Sequence, residues 1–414
     1  MSLQTEIEKH FRHNFVVNLA DGSFFGLAMG FASAVTILPL FIAHFTDSTI
    51  LISLIGSIHM IGSQLPQLFI VGRVANLERY KSLAVVITAH ERVPFIGLLL
   101  LALASPLLDR GLVVLLCYLL FIWHSLGSGF TAAPYQSMIG KIFPERRRGI
   151  FMGTQMAGYS LLSGLGAVLA GMWLESLPPP YNYALCFLAA SLALGISWFF
   201  LANAREPLHT VGQRVPARSI PWARLRQIWD GNANFRRFVL ARILAQFTLV
   251  ALSFLAIYAT RQMGIGEQTL GLLTGLLFFM QIAGALLGGW VGDRAGHRIV
   301  LITGALLMAA AGGLAGLAAN QALFFVVYAL GGAGSTMLMT NIIAMTMEFG
   351  TPEDRPYHIG LANTLTAFAA LAAPILAGLV VERVGYSSMF LLTALAGIAT
   401  LFVLLLVTDP RRTR

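Results

Sequence analysis

The chain has 414 residues, of which 57% are hydrophobic and only 11% charged, and its mean hydropathy is +0.77; a soluble domain carries about 25% charged residues. So little polar surface excludes an ordinary soluble fold and makes lipid the solvent. The formal net charge of +9 does not point to a nucleic-acid partner, because the arginines sit in short segments flanking apolar runs, where they fix membrane orientation.

In chain order, the polar and mixed-charge start Met1 to His13 leads into an apolar segment far longer than a signal-peptide core of about 7 to 15 residues, so the first helix is expected to be retained. A spanning helix needs about 20 apolar residues. Spans are therefore predicted near 14–44, 49–72, 82–107, 111–137, 150–174 and 183–203, and again near 236–260, 268–291, 299–319, 322–347, 359–381 and 386–407. The expected fold is an all-α membrane protein of twelve transmembrane helices in two pseudo-symmetric six-helix bundles, residues 1–203 and 236–414, joined by a cytoplasmic linker over 204–235. That linker carries Arg205, Arg214, Arg218, Arg224 and Arg226 among prolines, with an interfacial segment expected from Trp222 to Trp229. Cys117 and Cys186 fall inside apolar runs without metal-ligand spacing and read as small packing residues.

Lysine and arginine set the orientation. With the amino terminus cytoplasmic, that side collects Lys9, Arg12, Arg73, Arg79, Lys81, Lys141, Arg146, Arg147, Arg148, the linker arginines, Arg294, Arg298, Arg355, Arg411, Arg412 and Arg414. The opposite side collects only Arg110, Arg261 and Arg383. Under the positive-inside rule both termini are expected in the cytoplasm and the protein in the inner (plasma) membrane. The halves also echo each other. Pro144-Glu145-Arg146-Arg147-Arg148-Gly149 after the fourth span resembles Pro352-Glu353-Asp354-Arg355 after the tenth, and basic loops follow the second and eighth spans. Repeat-related halves are a common transporter plan, with the substrate between them near the bilayer midplane.

The segment Gly288-Gly289-Trp290-Val291-Gly292-Asp293-Arg294-Ala295-Gly296-His297-Arg298 resembles the cytoplasmic loop signature of the major facilitator superfamily. With the twelve spans, the repeat and the central linker, the resemblance covers essentially the whole chain. Its implication is that this loop latches the cytoplasmic side when the protein opens outward, with Gly289, Gly292, Asp293, Arg294, Gly296 and Arg298 as gate-loop residues. The chemistry agrees: the glycines permit close helix approach and a tight turn, Asp293 suits a neighbouring helix amino terminus, and Arg294 and Arg298 can reach carboxylates or carbonyls. The equivalent first-half loop, Gly72 to Lys81, lacks the aspartate, leaving Glu78 as the available substitute. The fifth span has Gly153, Gly158, Gly164, Gly166 and Gly171 but no proline among them, whereas drug antiporters of the superfamily carry a Gly-Pro pair there; this takes support from drug/proton antiport.

Charges inside spans are costly, about 2.5 to 3.5 kcal/mol at a helix centre, and so need a partner, a wet cavity or a function. Asn14, Asn18 and Asp21 fall on one face of the first span, and Asp21 is the first candidate for a proton-coupling residue. In the third span His90-Glu91-Arg92 precedes Pro94. Adjacent side chains point about 100° apart, so Glu91 and Arg92 are expected to reach different neighbours, with an ion-pair network joining Arg92 to Asp21 favoured over direct substrate contact. The family resemblance implies that spans one, four, seven and ten line the cavity. Candidate lining residues are Asn18, then His124, Ser128, Thr131 and Tyr135 as a stripe on span four, Gln246 on span seven and Asn341 on span ten, joined by His59 of span two and Gln281 of span eight. Arg242, two turns into span seven, is expected to snorkel to the interface. Pro39, Pro134 and Pro374 are expected to kink their helices.

There is no catalytic constellation, phosphate-binding loop or metal motif, so no enzyme activity, cofactor or metal is expected. The reading is a secondary active transporter of a small organic solute working by alternating access, with proton coupling open and a monomer expected in the lipid bilayer. The alternative is a transporter-like sensor or assembly factor that does not transport.

Overall fold

The computed structural model describes residues 3–34, 37–46, 55, 58–59, 62–208, 222–265, 267–317, 320–351 and 353–412. The first part of the second predicted span, the linker with Arg214 and Arg218, Pro352 and Arg414 lie outside the described residues. Within the described residues the chain is helical without strands, and ten helices are long and apolar enough to cross a membrane. This is what lipid enforces: backbone N–H and C=O groups must pair within their own segment.

The helices follow the predicted spans closely: Tyr80–Ala104, Arg110–Ile142, Arg148–Ser176, Tyr181–Ala202, Glu267–Ala295, His297–Gly316, Gln321–Thr346, Arg355–Val384 and Tyr386–Leu405. Two spans are built differently from the prediction. The first begins at Leu3, inside the polar amino-terminal segment, and stops at Phe31, with helix again over Ile37–Ala43, the piece that contains Pro39. The seventh consists of two consecutive helices, Ala233–Leu249 and Ala251–Arg261. Pro134 and Pro374 lie inside helices that run on past them. The interfacial segment is a helix, Trp222–Gly231, that buries Leu225 and Ile228.

The chain divides into two compact units, one of Met1–Pro144, Gly158–Pro221 and Pro352–Gly360, the other of Glu145–Ala157, Trp222–Thr351 and Leu361–Arg414. The core of the first is aromatic, with Phe41, Phe95, Phe121 and Phe187 around the free cysteines Cys117 and Cys186. The second packs Tyr258, Phe324, Tyr328 and Phe390 together. Residues such as Leu100, Phe199, Phe279, Leu287 and Phe402 are exposed on the outer faces of their helices, a surface suited to lipid and not to water.

One turn fixes the gate loop. Gly296, between Glu267–Ala295 and His297–Gly316, has φ of +97° and ψ of 141°, a region open essentially to glycine, and a Cβ there would collide with the Asp409 carboxylate. Gly296→Ala is therefore expected to destabilise the protein by about 1 to 3 kcal/mol. Gly195→Ala, where an added Cβ meets open space, serves as the neutral control; comparing melting temperatures of the two in detergent checks the expectation.

Candidate functional site

Asp293 is in the last turns of the Glu267–Ala295 helix. Its Oδ1 accepts from Gly149 N and its Oδ2 from Ile150 N, both at 2.6 Å. These are first-turn amides of the Arg148–Ser176 helix, donors that no helix can satisfy internally, and the macrodipole there favours an anion. Close approach makes this possible: a Cβ on Gly289 would fall on the Gly149 carbonyl, so the two backbones touch where side chains would hold them apart.

A second layer of charge backs the carboxylate. Arg411, beyond the twelfth span, donates from Nε to Glu348 Oε1 at 2.7 Å and pairs with the same carboxylate through Nη2 at 2.6 Å. It also reaches the carbonyls of Gly292, Asp293 and Glu145 and lies 3.9 Å from the Asp293 carboxylate. Arg411 Nη2 donates to His297 Nε2 at 2.7 Å. His297 then carries its proton on Nδ1 and donates it to Asn341 Oδ1 at 2.7 Å, an assignment made from the partners. Arg298 donates to the Leu404 and Leu405 carbonyls at the end of the twelfth span, where a cation suits the macrodipole. Arg294 stacks on Trp290, 3.9 Å from the ring centroid.

The first-half loop is organised by a residue that the sequence reading missed. Glu206, just after the sixth span, accepts from Tyr80 N at 3.0 Å and Lys81 N at 2.7 Å, capping the third span, and pairs with Lys141 Nζ at 2.8 Å. Glu78 contributes its backbone carbonyl to Lys141 at 2.9 Å, and among the described residues the acceptor on these amides is the Glu206 carboxylate and not that of Glu78. The acceptor needed at the third span's first turn is supplied instead from the end of the sixth.

In the same unit Asp21 and Arg92 come together at 3.3 Å, bridged by Ser197, which donates to Asp21 at 2.6 Å and accepts from Arg92 at 2.8 Å. Glu91 is nearer to Arg92 than the 100° offset suggested. Its Oε2 lies 3.6 Å from Arg92 Nη1, because both long side chains bend back to Thr88, one turn earlier, whose hydroxyl donates to Glu91 and accepts from Arg92. His124 Nδ1 bonds the Glu91 carbonyl at 2.7 Å and the ring stacks on His59 with centroids 5.5 Å apart.

The remaining candidates divide. Asn18 is fully buried and donates to the Asn14 carbonyl of its own helix, Thr131 is buried against the Gly127 carbonyl, and Asn341 belongs to the loop cluster through His297. Ser128, Tyr135, Gln246 and Gln281 keep partial exposure. Arg242 does not snorkel: it is buried and bonded to Thr346 and Asn363, both close enough to hold the guanidinium inside.

A sequence model described as Major Facilitator Superfamily matches residues 22–259 and 238–414. The chain belongs to that superfamily. Membership carries the twelve-helix membrane fold and a family of transporters. The chain is 33% identical over 172 residues, 40% of each protein, to multidrug resistance protein MdtG of Salmonella choleraesuis. It is 28% identical over 127 residues, 30% of this chain and 24% of the relative, to the tetracenomycin C resistance and export protein of Streptomyces glaucescens. The chain thus spans less than half the length of these curated relatives. Among solved superfamily folds, a bacterial homologue of the iron transporter ferroportin superposes with a TM-score of 0.77 at 14% identity, covering 100% of both chains. Both relatives are named as resistance proteins, which runs against the weight that a proline-free fifth span took from drug/proton antiport.

Proposed function

We propose that this superfamily member is a secondary transporter of a small organic solute, embedded in the inner membrane with both termini cytoplasmic. The observation that carries the reading is the Asp293 carboxylate on the first turn of the Arg148–Ser176 helix. It joins a loop of the second half to a span of the first through contacts that can break without unfolding either helix. A latch of this kind is what alternating access requires, since repeat-related halves must part and rejoin around a central site. Similarity to a multidrug resistance protein and to an antibiotic resistance and export protein supports a small organic solute, and the lysine and arginine distribution supports the orientation.

Asp21 is the proposed coupling residue. It is buried beside Arg92 and Ser197, and an intramembrane carboxylate whose partner is a movable cation can exchange that cation for a proton. Purified protein in sealed vesicles, supplied with a panel of amphiphilic solutes and an imposed pH gradient, is expected to accumulate or expel at least one of them. Asp21→Asn is expected to abolish gradient-driven movement while exchange of solute across the membrane without a gradient persists. Gradient-driven transport that survives in Asp21→Asn at every pH would remove Asp21 from the coupling role, and folded protein that moves no solute would favour the sensor or assembly-factor reading.

A further inference from the structure

We propose that Arg242, held by Thr346 and Asn363, forms an oxyanion-binding site in the second unit that takes a carboxylate or phosphate group. Arg242 is only 6% exposed, and its side chain is fixed from two other spans: Nη1 donates to Thr346 Oγ1 at 3.0 Å and Nη2 to Asn363 Oδ1 at 2.6 Å. Both acceptors are neutral. Among the described residues no carboxylate lies within ion-pair distance of it, and none supplies an acceptor to the buried Nε–H. Glu348, two residues beyond Thr346, is committed to Arg411 and His297. The guanidinium carbon also lies 6.0 Å from the centroid of the Phe238 ring, which attracts a cation without neutralising it.

A purely structural brace between three spans would not need a charge. A guanidinium removed from water without a counterion is costly, and an arginine facing neutral acceptors keeps that cost in every molecule. An oxyanion relieves it, since the planar fork matches two oxygens of a carboxylate or phosphate and the unpaired Nε–H supplies one of the two donors. Asn363 and Thr346 then act as positioning residues that orient the fork before the anion arrives. This inference rests on the transporter reading only for the identity of the anion as part of the solute; the binding site itself stands or falls separately.

The test is equilibrium binding to the full-length protein in detergent, read by thermal melting, because a ligand that binds the folded state raises its stability in proportion to the logarithm of its concentration over Kd. The probes are succinate, inorganic phosphate, chloride and the neutral succinamide. A saturable rise in melting temperature with succinate or phosphate, absent with succinamide and chloride, is expected. Succinate acting at lower concentration than phosphate assigns the site to a carboxylate-bearing solute, and the reverse order assigns it to a phosphate group. Arg242→Gln is expected to abolish the rise, and Arg242→Lys, which keeps the charge and loses the fork, to weaken apparent affinity by about tenfold or more. Should Arg242→Gln not fold, Asn363→Ala carries the same test and is expected to weaken binding without removing the cation. No stabilisation of the wild type by either oxyanion, or an equal rise in wild type and Arg242→Gln, would overturn the proposal. Because no transport is measured, failure here leaves the vesicle experiment untouched, and a failed vesicle experiment leaves this one standing.

Discussion

Asp293→Asn is expected to lower solute turnover sharply and to shift the protein toward the arrangement in which residues 145–157 and the gate loop are apart. The carboxylate accepts two backbone amides with its two oxygens, each at 2.6 Å. The amide that replaces it keeps one acceptor and turns a donor toward the other N–H. Hydrogen bonds to a charged group contribute about 1.5 to 3 kcal/mol each, so loss of one corresponds to a population shift of roughly 10- to 100-fold. The Arg411 guanidinium, 3.9 Å away, also loses a counter-charge, although it keeps Glu348, which is why the loop should loosen without unfolding. Spin labels at Arg146 and Arg294, both exposed, report the separation, and vesicle transport reports the turnover. If both the distance distribution and the transport rate match the wild type, the contact is not a latch.

The spans were legible because lipid leaves the backbone no partner but itself, so every crossing must be a long apolar run. The exceptions are instructive. The first helix extends back to Leu3 through residues polar enough to read as a tail, since helix continuity does not need apolar side chains once the chain has left the bilayer. Asp293 was legible because its motif surrounds it with glycines and arginines, and the pairing of Asp21 with Arg92 because two buried charges of opposite sign seek each other. Glu206 and Arg411 were not legible, since both lie in short polar segments after the last helix of their half, where no periodicity marks a residue as buried. A comparison of the half-ends could have found them: Arg205-Glu206-Pro207 follows the sixth span as Asp409-Pro410-Arg411 follows the twelfth. His297 stood inside the recognised motif, but its role depends on Asn341 and Glu348, residues distant in sequence. Arg242 was misjudged because snorkelling is the common fate of an arginine near a helix end, whereas Thr346 and Asn363, distant in sequence, hold it inward.

The half-end pairs have the same plan with the charges exchanged. In the first, a cation at the end of the fourth span, Lys141, meets an acid after the sixth, Glu206; in the second, an acid after the tenth span, Glu348, meets a cation after the twelfth, Arg411. The exchange has a consequence for stability. Glu206 also caps the third span from within its own unit through Tyr80 N and Lys81 N, work that a cation cannot do, and in the second half the capping carboxylate is Asp293. Glu206→Ala leaves a buried ammonium without a counterion and two helix amides without an acceptor, and breaking a buried pair in this way costs about 3 to 5 kcal/mol. Glu206→Gln, which keeps an acceptor for one amide, is expected to fall between that and the wild type. Adding Lys141→Met to Glu206→Gln should recover part of the loss, because the methionine removes the uncompensated charge and keeps most of the volume. Melting temperatures in detergent of the wild type, Glu206→Gln, Lys141→Met and the double variant form the cycle, and Glu206→Ala, measured beside them, melting within a degree of the wild type would contradict it. Since every partner of Glu206 belongs to the first unit, the loss should appear in stability and leave the distance between positions 146 and 294 unchanged, the opposite of the result expected for Asp293→Asn.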